Sequence, residues 1–160
     1  MRDKIIKMIE KNSRINTDEM AILLGESEID IVNEMASMEA EGIICGYHTL
    51  INWEKTTSEK ITALIEVRVT PQRGQGFDSI AERIFNYPEV YAVFLISGGY
   101  DLLVTIEGKS LKEVSSFVSD KLSTIDAVLS TATHFVLKKY KDHGTVLSSM
   151  KEDERELITP

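Results

Sequence analysis

Between residues 3 and 42 the apolar positions fall at helical spacing, in three separate runs. Ile5, Ile6, Met8 and Ile9 form a stripe within residues 3–11, and Asn12-Ser13-Arg14 interrupts it. Asn16 and Thr17 then offer N-cap oxygens, followed by Asp18 and Glu19 in a first turn whose dipole favours acids. Met20, Ala21, Leu23 and Leu24 are the predicted buried face of this second helix, and Gly25 closes it in the place of a left-handed cap. Ser27-Glu28-Ile29-Asp30 reads as a capping box that opens a third helix. Ile31, Met35 and Met38 share one face of that helix, and Gly42 ends it. Two helices joined by a tight turn at Gly25, with a helix in front, predict a helix-turn-helix; bare periodicity fits a plain three-helix core about as well.

Beyond residue 60 the pattern changes. Ile43, Ile44 and Tyr47 lead into a polar stretch, residues 52–60, where the domain boundary is expected. Residues 61–69 are rich in β-branched side chains and alternate toward their end, which predicts a strand. Pro71, Gly74 and Gly76 mark a turn. Phe77, Ile80, Ala81, Ile84 and Phe85 return to helical spacing until Pro88. Residues 90–97 and 102–107 predict two strands joined at Gly98-Gly99. Leu111, Val114, Phe117, Val118 and Leu122 predict a helix, and residues 128–139 a last strand. The order βαββαβ is the ferredoxin-like split motif, so the fold class is α+β. Residues after Tyr140 are polar and are expected to be a mobile tail.

Such a sheet needs a second layer on each face. Val67, Val69, Phe94, Ile96, Val104, Phe135 and Leu137 are more apolar strand residues than two short helices would cover, which predicts a dimer.

Composition narrows the function. With 160 residues, 42% of them hydrophobic, each half can bury a core. A single cysteine, Cys45, excludes an internal disulfide framework and fits a small buried residue in a reducing compartment. No apolar run has the length of a signal core or a membrane span, so a cytoplasmic protein without membrane association is expected. His48, His134 and His143 are too dispersed for a metal motif, and no Ser/His/Asp set, phosphate loop or paired-cysteine site is present. Neither a cofactor nor a metal nor catalysis is expected.

The net charge of −8 opposes DNA, because sequence-independent affinity comes from cations on phosphates. Between Arg14 and Lys55 there is no Lys or Arg. Phosphate contacts would fall to Arg2, Lys4, Lys7, Lys11, Arg14 and Lys55.

Taken together, the two halves resemble the Lrp/AsnC (feast/famine) family of prokaryotic transcription regulators over roughly residues 3–141. In the first half the likeness lies in Leu24-Gly25, Ser27, the Ile31/Met35/Met38 face, Glu39-Ala40-Glu41-Gly42-Ile43-Ile44 and Gly46-Tyr47. In the second it lies in Pro88-Glu89-Val90, Gly98-Gly99-Tyr100-Asp101 and Val128-Leu129-Ser130-Thr131-Ala132-Thr133. The resemblance implies a winged helix-turn-helix over residues 1–52, a linker over 53–60, a ligand-sensing and dimerisation domain over 61–140, and a polar tail over 141–160. It also implies dimers that build larger rings, commonly octamers, and small effectors, usually amino acids.

By analogy the third helix docks in the major groove, with Ser27, Ile29, Asp30, Asn33 and Glu34 as the DNA-facing residues. Gly98 and Gly99 either give the turn its positive φ or let amides approach an effector carboxylate. Asp101 would pair with its ammonium, with Tyr100, Thr131 and Thr133 shaping the site. Two functions stay open at this point. One is a regulator that binds DNA and an amino acid. The other is an effector-binding or assembly protein whose helix-turn-helix has weak or lost affinity. Certain haem-biosynthesis decarboxylases resemble the same architecture, but no residue pattern here supports catalysis.

Overall fold

The computed structural model describes residues 1–70 and 76–148. The chain divides into two compact units, Met1–Leu50 and Ile51–Pro160.

Three helices make the first unit: α1 (Arg2–Lys11), α2 (Thr17–Leu24) and α3 (Glu28–Ala40). Their core is Ile5, Met20, Ala21, Ile31 and Met38, with Ile6, Met8, Ile9, Ile15, Leu24, Met35 and Ile44 packed against it. Gly25 ends α2 at φ +70°, the left-handed cap its position predicts. Ser27 caps α3: its hydroxyl oxygen accepts the Asp30 N–H at 3.1 Å. The box closes differently from the usual form, because the Asp30 carboxylate takes the Ser27 hydroxyl at 2.6 Å.

Leu23, expected in the core, is 63% exposed. Met20, Ala21 and Leu24 define the packed side of α2, and at 100° per residue Leu23 falls outside it. The unit is of the winged helix-turn-helix class, with the wing segment irregular: residues 45–50 pair in no strand.

The second unit is a four-stranded antiparallel sheet covered by helices on one face. Its elements run β1 (Ile61–Val69), α4 (Phe77–Phe85), β2 (Val90–Leu95), β3 (Leu102–Gly108), α5 (Leu111–Phe117) and β4 (Val128–Phe135). The strand order is β2-β3-β1-β4, the ferredoxin-like arrangement that βαββαβ predicts.

Alternation assigns the faces. Ala63, Ile65, Val67 and Val69 of β1 and Leu102, Val104 and Ile106 of β3 are buried against Ile80, Ile84, Val114, Phe117, Leu122 and Ile125. The other face carries Leu64, Glu66 and Arg68 from β1, paired with Thr105, Leu103 and the start of β3. Phe94 lies opposite Leu103 on this open face and is 52% exposed.

Four expectations need correction. The last strand ends at Phe135 rather than residue 139, and Leu137 is 94% exposed, so it adds nothing to a sheet face. The second strand stops at Leu95, which leaves Ile96 in the turn. Phe85 and Leu111 are exposed at helix ends. The segment after Tyr140 is folded as far as it is described: β5 (Lys141–Asp142) and β6 (Thr145–Val146) form a hairpin. The Asn52 amide donates to the Leu147 carbonyl at 2.9 Å, tying this hairpin to the start of the unit. The turn expected at Pro71 and Gly74 and residues 149–160 of the tail lie outside the described residues; Gly76 precedes α4 as its N-cap.

Candidate functional site

The outer face of α3 is where the helix-turn-helix presents itself. Helical spacing puts Ile29, Val32, Asn33, Ala36 and Ala40 on that face, and all five are exposed. Ile29 is 73% and Val32 47% exposed, opposite the buried Ile31 and Met38. The acids sit on the two flanks, and each is held by a neighbour. Glu28 accepts the Thr17 hydroxyl at 2.7 Å, and Glu39 the Tyr47 hydroxyl at 2.8 Å. Asp30 takes Ser27. Glu34 accepts from Arg2 Nε, and Glu41 accepts from both terminal nitrogens of Arg2 at 2.7 Å. The face that would meet a ligand is therefore uncharged.

Of the five DNA-facing residues inferred from sequence, Ile29 and Asn33 lie on this outer face. Ser27 and Asp30 bond each other at the helix start, and Glu34 turns toward α1. Val32 and Ala36 were missed; their spacing of three and seven from Ile29 was the available signal. Arg2 leaves the set of phosphate-contacting candidates because its guanidinium is committed inside the unit. Lys4, Lys7, Lys11 and Arg14 remain exposed.

The Arg2 cluster has a pH signature. Hydrogen bonds from Arg2, then from Ser37, hold the Glu41 carboxyl down to about 2 from its ordinary 4.5. The same bonds, Glu41 first and Glu34 second, raise the Arg2 guanidinium above its ordinary value. A carboxyl depressed in the folded state contributes stability above its unfolded pKa and loses it as pH falls through the folded value. Arg2→Gln is expected to lower the denaturation midpoint of the helical unit at pH 6. The gap to the parent should narrow between pH 4.5 and 2, and shrink with added salt because the cluster is exposed. Circular dichroism melts across that range would show it; a gap constant with pH would refute the assignment.

In the second unit, the β2–β3 turn carries Gly98, Gly99, Tyr100 and Asp101. Among the described residues the left-handed glycines are Gly25, Gly42 and Gly144, so Gly98 and Gly99 do not serve the turn through positive φ. A Cβ at Gly99 would meet open space, and one at Gly98 would touch only Ile96, at an ordinary 3.7 Å.

Asp101 is anchored on three sides. Its carbonyl accepts the Ile96 N–H at 2.8 Å, its N–H donates to the Val67 carbonyl at 3.1 Å, and its Oδ2 accepts the Val69 N–H at 2.8 Å. Val69 sits at the β1–β4 register shift, where the ladder is interrupted. Thr131 and Thr133 lie opposite Val67 and Ile65, partly buried on the helix-covered face. The turn and Thr131 thus occupy the same end of the sheet, with β1 between them. Two strand spacings separate them, about 10 Å.

A cleft elsewhere in this unit was not foreseen. It measures about 370 Å³ and is lined by Trp53, residues 58–60, residues 88–91, residues 107–109 and Glu113. None of the six inferred ligand residues reaches it.

A helix-turn-helix unit followed by a βαββαβ unit defines a two-part regulator class. Residues 62–146 match the family model described as the Lrp/AsnC ligand binding domain. An HTH-type transcriptional regulator of Bacillus subtilis strain 168, YugG, itself described as uncharacterised, is 44% identical over 98% of this chain and 95% of its own length. The regulator FL11 of Pyrococcus furiosus is 27% identical over 87% of this chain and 89% of its own. Among solved structures, the transcriptional regulator NMB0573 of Neisseria meningitidis, in complex with L-Met, superposes with a TM-score of 0.69 at 24% identity. The match spans 87% of this chain and 89% of that one. The chain belongs to the Lrp/AsnC family of transcriptional regulators. It joins a DNA-binding helix-turn-helix to a ligand-binding α+β domain. Among the described residues no helix is long and apolar enough to cross a membrane.

Proposed function

We propose that this regulator reads DNA with the uncharged outer face of α3 and responds to an amino acid bound beside the β2–β3 turn. The observation that carries the first part is the exposure of Ile29, Val32, Asn33 and Ala36 together with the occupation of every flanking carboxylate. Aliphatic side chains in a major groove contact the thymine C5-methyl, and an Asn amide pairs with adenine N6 and N7. Glu and Asp accept productively only from cytosine. The exposed set therefore favours operators rich in A·T pairs. Phosphate contact falls to Lys4, Lys7, Lys11 and Arg14.

For the effector, the complex of the Neisseria relative with L-Met supports an amino acid. Gly98 and Gly99 leave the backbone open to a carboxylate. Asp101 Oδ1 makes no hydrogen bond among the described residues and is the atom offered to an ammonium. The open sheet face, with Leu64, Leu103 and Phe94, supports a dimer through the sheet, and family likeness supports larger rings built from it.

A gel shift with DNA upstream of the protein's own gene, at low and moderate salt, with each amino acid in turn, tests the reading. One amino acid should change the apparent Kd. No retardation at low salt, with an amino acid still raising the melting temperature, would instead describe an effector-binding protein without a DNA target.

A further inference from the structure

We propose that the cleft beside Trp53 is a second small-molecule site, for an aliphatic diammonium ion. It lies wholly in the α+β unit, apart from the β2–β3 turn and from β4, and its volume of about 370 Å³ falls in the range of small-ligand pockets.

The structure shows how the cleft holds an alkylammonium, because it already holds one. Lys60 Nζ sits 4.5 Å from the centroid of the Trp53 ring and pairs with the Glu107 carboxylate. An aromatic face and a carboxylate on one ammonium are the two contacts that select amines over hydrated alkali ions.

The lining carries more negative charge than Lys60 answers. Four carboxylates, Glu59, Glu89, Glu107 and Glu113, face two ammonium groups, Lys60 and Lys109. The excess of two matches a dication. A compact metal ion does not suit it, since no three acidic or other ligating side chains among the described residues converge on one point. Charge spread along a wall suits an extended ion with an ammonium at each end and an apolar middle.

Glu89 adds a separate observation. Lys121 takes its Oε1, and Oε2, shielded from solvent, has no hydrogen-bond partner among the described residues. A shielded, unpaired carboxylate oxygen is costly, and an N–H donor entering from the cleft would satisfy it after a small side-chain shift. One ligand ammonium thus replaces Lys60 at Trp53 and Glu107, and the other goes to the Glu89 end.

Trp53 is the protein's one tryptophan, so its fluorescence reports this site alone. The full-length protein should be titrated with 1,5-diaminopentane, with 1-aminopentane, and with sodium chloride at matched ionic strength. The diamine should give a saturable change in emission at concentrations about tenfold below those where the monoamine acts, as expected for one additional ion pair. Glu107→Gln should weaken the diamine response about tenfold. Lys60→Met, which removes the internal competitor, should alter the starting emission and strengthen the response. Far-UV circular dichroism of each variant shows whether it is folded, and Glu59→Gln, at an exposed position, gives an independent weakening should Glu107→Gln unfold. A response shared equally by monoamine or salt, or a flat diamine titration in both the parent and Lys60→Met, overturns the proposal. Neither outcome touches DNA binding by α3.

Discussion

The double variant Ile29→Ala, Val32→Ala should lose about 2–4 kcal/mol of affinity for its best DNA site, roughly 30- to 700-fold, with its salt dependence unchanged. Both side chains stand in solvent on the outer face of α3, so truncating them opens no cavity in the core formed by Ile5, Met20, Ile31 and Met38. The substitutions remove five carbons together. At about 0.8 kcal/mol for each methylene withdrawn from water, 4 kcal/mol is the limit for full burial in a groove. No cation is removed, so the slope of log K against log salt should hold. The complementary variant, Ala36→Lys, adds a cation to the same face. It should tighten binding to all sequences and steepen the slope by about 0.9 if it meets a phosphate. Quantitative gel shifts at several salt concentrations, on A·T-rich and G·C-rich duplexes, separate the two effects. Unchanged affinity in the double variant would mean that α3 does not enter the groove by this face. Adding charge at Glu34 is a poorer probe than it looks from sequence, because that carboxylate is bound to Arg2 and its replacement would disturb the α1–α3 contact.

What could be read in advance was set by local chemistry. Gly25 after Leu24 and Ser27 three residues before Asp30 specify helix ends through their own turns, and both act as expected. The alternation of Ile65, Val67 and Val69 with Glu66 and Arg68 assigns sheet faces without any knowledge of partners.

What escaped depends on residues distant in sequence. Arg2 meets Glu34, Ser37 and Glu41 across more than thirty positions, so a presumed phosphate contact proved to be an internal clamp. The hairpin at residues 141–146 is short and polar, without the alternation that marks a strand, and Asn52 reaches it only through the fold. Leu137 looked like the end of an alternating strand, yet the ladder stops near Phe135 and Val136, whose N–H reaches the Thr62 carbonyl. The cleft was invisible because Trp53, Glu89 and Glu107 come from three separate segments, none carrying a motif.

Asp101 joins the two kinds of information, and Asp101→Ala should destabilise the α+β unit by about 1.5–3 kcal/mol even with no effector present. From sequence, an acid after Gly98-Gly99-Tyr100 suggested a partner for a ligand ammonium. In the structure its Oδ2 accepts the Val69 N–H at the point where the β1–β4 register shifts. Val69 is 6% exposed, so water is a poor substitute acceptor, and truncation leaves the N–H without one. The bond is charge-assisted, which places it at the upper end of the range for single hydrogen bonds. Asp101→Asn keeps an acceptor oxygen in the same place and should lose roughly half as much. The two variants then separate support of the fold from ligand binding. A purely structural Asp101 predicts that Asn preserves any amino-acid-induced rise in melting temperature. A carboxylate that also pairs with an ammonium predicts that Asn abolishes the rise while leaving the unliganded protein nearly as stable as the parent. Urea denaturation gives the first quantity and thermal shift with amino acids the second. An Asp101→Ala protein that unfolds at the parent's urea midpoint would show that the Val69 contact contributes nothing to the fold.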